Sequence, residues 1–76
     1  MPSSRLRKHS VEIAGHRTSI SIEEPFWDAL KRLADAQGLS MNALVTAIDA
    51  GQDGNLASAI RIHVLRALER EAADKA

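Results

Sequence analysis

The run Arg17-Thr18-Ser19-Ile20-Ser21-Ile22 limits what this chain can fold into more than any other stretch. It alternates polar and apolar residues, and a β-strand places every second side chain on the same face. Thr18, Ile20 and Ile22 share a face made for burial, while Arg17, Ser19 and Ser21 share one that is small, polar and basic. Such a strand cannot stand alone. Its backbone N–H and C=O groups need a partner, and its isoleucines need a cover. Other strand character is confined to Val11 and Ile13, which alternate with Ser10, Glu12 and Ala14, and Ala14-Gly15-His16 then reads as a bend or bulge. The expected partner is therefore the same strand of a second copy, because a two-fold antiparallel ribbon is self-complementary.

The cover is helical. Pro25 suits a first helical turn, where its missing N–H is no loss, and Glu23 and Glu24 favour the positive end of the helix dipole. Phe26, Leu30, Leu33 and Ala34 then form one helical stripe, with Trp27 beside it as a core or dimer residue, and Gly38 ends the helix in a left-handed cap. Ser40 is a good N-cap for a second helix carrying Met41, Leu44, Val45 and Ile48. Gly51-Gln52-Asp53-Gly54 breaks it, and Asn55 caps a third helix expected to run to about Glu71. That helix has a wide apolar arc, with Leu56, Ala59, Ile60, His63, Val64, Ala67 and Leu68 on one face and Ile62 and Leu65 extending it sideways.

With 76 residues and no cysteine, the chain has room for one small domain and needs a source of stability other than disulfides. Oligomerisation is the expected one. No apolar run is long enough to span a membrane, and the basic start leads into Val11-Glu12-Ile13 rather than an apolar signal segment, so a cytoplasmic location is expected. The zero net charge is unevenly spread: up to Ile22, Arg5, Arg7, Lys8 and Arg17 face Glu12 alone, a net +3, and the remainder carries −3. Residues 1–8 read as a flexible basic arm, 9–72 as the folded domain and 73–76 as a short tail. No nucleophile lies beside a base and no paired carboxylates sit in an apolar setting, so an enzyme is not expected. Neither a metal nor another cofactor is expected, since His9, His16 and His63 lack ligand spacing.

A two-stranded ribbon fits the major groove of B-DNA, about 12 Å wide, where arginine pairs with guanine and serine hydroxyls reach base edges. The unpaired N–H groups at the start of the second helix, with Ser40 and Asn42, form a candidate phosphate clamp. Arg17 to Ile22, then Phe26-Trp27-x-x-Leu30-x-x-Leu33-Ala34, then Gly38-Leu39-Ser40-x-Asn42-x-Leu44-Val45, resembles the ribbon-helix-helix family of Arc and Met repressor-like DNA-binding domains. The longer form, from Ser10-Val11-x-Ile13-Ala14-Gly15-His16 to a third helix after Asn55-Leu56, is similar to a bacterial subfamily with an additional C-terminal helix.

The resemblance implies a mainly α fold with a short β-ribbon, an intertwined homodimer plus a third helix, and a repressor that inserts its ribbon into double-stranded DNA. It places the base-reading positions on Arg17, Ser19 and Ser21 and the phosphate contacts on Ser40 and Asn42, to which the basic arm adds Arg5, Arg7 and Lys8. The expected dimer core is Ile20, Ile22, Trp27, Leu44, Val45, Ile48, Ile60 and Val64. The alternative is a dimeric protein-interaction module of the same fold that does not bind DNA.

Overall fold

The computed structural model describes residues 5–51 and 54–75. Two strands, β1 (Leu6–Ile13) and β2 (His16–Glu23), are followed by three helices, α1 (Glu24–Gln37), α2 (Met41–Ala50) and α3 (Leu56–Lys75). The partner of β2 is β1 of the same chain, paired antiparallel without interruption from Leu6 opposite Glu23 to Ile13 opposite His16. The expectation that β2 pairs with a second copy is thereby corrected, as is the flexible arm over Leu6–Lys8, which belongs to β1. At the other end helical structure continues to Lys75, through most of the expected tail. The expected arm residues Met1–Ser4, the linker residues Gln52 and Asp53, and Ala76 lie outside the described residues.

The hairpin closes through Ala14 and Gly15, with φ of 52° and 82°. Positive φ at both central residues is the turn whose twist matches a two-stranded ribbon. No bulge is needed. Glycine adopts this conformation freely, whereas alanine pays for its Cβ. Ala14→Asn is therefore expected to stabilise the fold by about 0.5–1 kcal/mol, seen as a higher urea midpoint with an unchanged slope.

Cross-strand partners share a face, so the inner face holds Ile22 opposite Arg7, Ile20 opposite His9 and Val11 opposite Thr18. Ile20, Ile22 and Val11 are buried, whereas Thr18, near the turn, is exposed. His9 occupies an inner position without being apolar. Its ring stacks on Trp27 at 4.0 Å between centroids, and its Nε2 lies 2.7 Å from Glu24 Oε1. One side chain thus ties β1 to the first turn of α1.

The helices begin and end on local chemistry. Gly38, at φ 69°, is the left-handed end of α1, and its N–H returns to carbonyls of the last turn. Ser40 Oγ accepts from Ala43 N–H at 3.0 Å, and Asn55 Oδ1 accepts from Ser58 N–H at 3.0 Å. Trp27, Leu30 and Ala34 of α1, Leu44 and Val45 of α2, and Ile60 and Val64 of α3 close over the inner face of the ribbon. All the residues assigned to a dimer core are thus packed within one chain, Ile48 only partly buried. The wide arc of α3 is buried on one side only: Ile62, Leu65 and Leu68 are about half exposed at 48%, 55% and 51%. No helix among the described residues is long and apolar enough to cross a membrane.

Candidate nucleic-acid interface

The alternation that buries Ile20 and Ile22 turns Arg17, Ser19 and Ser21 outward, and all three are exposed. The register adds their neighbours: Glu12 stands opposite Arg17, Ser10 opposite Ser19 and Lys8 opposite Ser21. The outer face is therefore a strip of three serines with Lys8 towards one end and Arg17 with Glu12 towards the other. Ser10 and Lys8 double the width of polar surface that β2 offers alone. Their place was obtainable from sequence only by treating Ala14-Gly15 as a two-residue turn, which fixes every pairing from Ile13 and His16 outwards.

The basic residues of the expected arm divide. Lys8 joins the outer face, Arg7 lies on the inner-face register at the open end opposite Ile22, and Arg5 is exposed just ahead of β1. Glu12 sets a carboxylate beside Arg17 and reduces the positive potential that a polyanion would meet there.

The start of α2 lies beside β1. Asn42 Oδ1 accepts the Glu12 backbone N–H at 3.0 Å, holding the outer edge of the ribbon. Ser40 is engaged as the N-cap. The oxygens of both residues are thus committed internally, while the hydroxyl of Ser40 and the amide nitrogen of Asn42 remain as donor groups. Arg17, Asn42, Ser10 and Glu12 border one shallow hollow of about 90 Å³, so the structure brings the ribbon arginine and the helix-start amide together.

Glu23, where the ribbon passes into α1, has its carboxyl held below its ordinary value of 4.5. Its own backbone N–H is the larger cause and Arg61 the next. Arg61 reaches it from α3 at 2.9 Å and lies 5.9 Å from the centre of the Phe26 ring. This contact fixes α3 against the junction of ribbon and first helix.

The sequence signature of the ribbon-helix-helix domain matches residues 6–68, most of the chain. The chain belongs to the ribbon-helix-helix family. Members of this family generally bind DNA as transcription regulators. A solved structure of an uncharacterized protein from Bordetella pertussis Tohama I is similar over 99% of this chain, with 25% identity and a TM-score of 0.81. The ribbon-helix-helix chain described here spans 65% of that protein's length. No curated protein matches it.

Proposed function

We propose that this ribbon-helix-helix protein is a sequence-specific DNA-binding regulator acting in the cytoplasm as a homodimer. The observation that carries the reading is the outer face of the ribbon. Arg17, Ser19 and Ser21 project from it together, with Ser10 and Lys8 across the strand and no apolar side chain between Lys8 and Arg17. A two-stranded ribbon is the width that the major groove admits, and here each protomer carries a whole one.

In this reading Arg17 donates to guanine O6 and N7, the serines set the approach and discriminate weakly, and Lys8 meets a flanking phosphate. Ser40, Asn42, Arg5 and Arg7 add phosphate contacts around the ribbon. Glu12 disfavours non-specific attachment, because a carboxylate beside the reading arginine is repelled by phosphate wherever no base rewards the approach. A homodimer sets two such ribbons on a pair of half-sites.

The test is selection from random duplex DNA by the purified protein, followed by titration of the selected site at two salt concentrations. Affinity should fall steeply with salt. Arg17→Ala should cost about 1–3 kcal/mol and change the preferred sequence, whereas Lys8→Ala should weaken binding to all sequences alike. A folded Arg17→Ala protein that binds the selected site with wild-type affinity would remove the ribbon from the interface.

A further inference from the structure

Glu12 and Arg17 face each other across the ribbon, one pair in from the turn. The backbone N–H of Glu12 is turned away from β2 and donates to Asn42 Oδ1 at 3.0 Å. That direction makes Glu12 and Arg17 a pair without ladder hydrogen bonds, in which Cα atoms stand about 4.5 Å apart and side chains are closest. Both side chains are exposed on the outer face. Opposite charges at such a spacing could join, yet among the described residues neither is in an ion pair. Asn42 holds the Glu12 backbone at the start of α2, so the carboxylate projects from a fixed point. Arg17, Glu12, Ser10 and Asn42 border the same hollow of about 90 Å³.

We infer that Glu12 reads a cytosine, accepting from its N4 amino group, in the same base pair whose guanine Arg17 contacts. A ribbon lying along the major groove has its cross-strand direction running across the groove, from one base of a pair to the other. A G·C pair presents two acceptors on the guanine, N7 and O6, and then one donor on the cytosine, N4. Arg17 supplies two donors and Glu12 an acceptor, in the same order. Inverting the pair to C·G sets the amino group against the guanidinium and O6 against the carboxylate, so the two residues also read the direction of the pair. The adjacent guanidinium offsets the repulsion that phosphates exert on the carboxylate. This contact deepens the DNA-binding reading and rests on it. It names the base that rewards the carboxylate, and it brings β1 into sequence reading beside β2.

The test is selection from random duplex DNA by the full wild-type chain and by Arg17→Ala, Glu12→Ala and Glu12→Gln, with folding checked by circular dichroism. Both residues lie on the exposed outer face. Each protein is then titrated with the wild-type site and with the same site carrying one base pair inverted. Glu12→Ala should lower the preference for G·C over C·G about tenfold, at the position that Arg17→Ala also relaxes. Glu12→Gln keeps an acceptor oxygen in the same place and should keep most of that preference, while binding all sequences more tightly for want of the negative charge. A preference unmoved in Glu12→Ala, an equal loss in the alanine and glutamine variants, or a loss at a base pair other than the one Arg17 reads would overturn the assignment. If the wild type selects no sequence, the DNA-binding reading fails and the cytosine contact fails with it. If the wild type selects a site that Arg17→Ala alters and the Glu12 variants do not, DNA binding stands and the cytosine contact falls alone.

Discussion

An Ile20→Asp chain is expected to lose its fold, while Ser19→Ala, one residue away, is expected to keep it. Ile20 is 4% exposed, on the inner face of the ribbon, and its cross-strand neighbour is His9, already committed to Trp27 and Glu24. Aspartate there removes about 1.5–3 kcal/mol of apolar burial and puts a carboxylate into the core beside a cross-strand His9 already held by Glu24 and Trp27. Burying such a charge costs several kcal/mol more. Domains of this kind have about 5–15 kcal/mol in all, and short chains lie near the lower end. Ser19 is exposed on the outer face, so its loss should move stability by no more than about 0.5 kcal/mol. Urea denaturation followed by circular dichroism checks both. A cooperative transition in Ile20→Asp near the wild-type midpoint would mean that the inner face of the ribbon is not the core.

The contrast between these two residues was legible in the sequence because alternation is a local property. So were the ends of the helices, where Gly38, Ser40 and Asn55 each act on backbone groups within a few residues. The first strand was legible only at its Val11–Ile13 end. Its inner face carries Arg7 and His9 where an amphipathic strand carries apolar residues, so only Val11 and Ile13 announced it. What lets His9 stand there is contact with Trp27 and Glu24, residues 18 and 15 positions away, and no window of sequence contains that information. With only its Val11–Ile13 end read as strand, β1 was passed over as the partner of β2, which was given a second copy instead, and the buried residues were assigned to a dimer although one chain encloses them. The outer-face assignment of Arg17, Ser19 and Ser21 survived because it depends only on the phase of the alternation. Asn42 shows the opposite limit. Its place at the start of α2 was foreseen, but its bond to the Glu12 backbone depends on how the first strand packs against α2, which the sequence does not show.

Ending the chain after Ala50 should abolish cooperative folding. The cut removes Ile60 and Val64, which are 0% and 1% exposed, together with the partly buried Leu56 and Ala57 that pack on the same core. Loss of the two fully buried side chains alone costs about 1.5–3 kcal/mol each. Their removal also opens the single buried cluster to which Ile22, Leu30 and Val45 belong. Arg61 goes too, so Glu23 loses the cation that helps hold its carboxyl below the usual range. That contribution has a definite sign. A carboxyl with a lowered folded value stabilises the fold above its unfolded value, and the stabilisation fades as pH falls through the folded one. The intact chain should therefore show an acid-sensitive component below about pH 4.5 that Arg61→Ala diminishes. The truncated chain should bind hydrophobic dyes, exchange its amide hydrogens rapidly and show no unfolding baseline in urea. If it instead folds and retains the ribbon but loses affinity for the selected DNA, α3 is a contact element, and the first two helices suffice as a core.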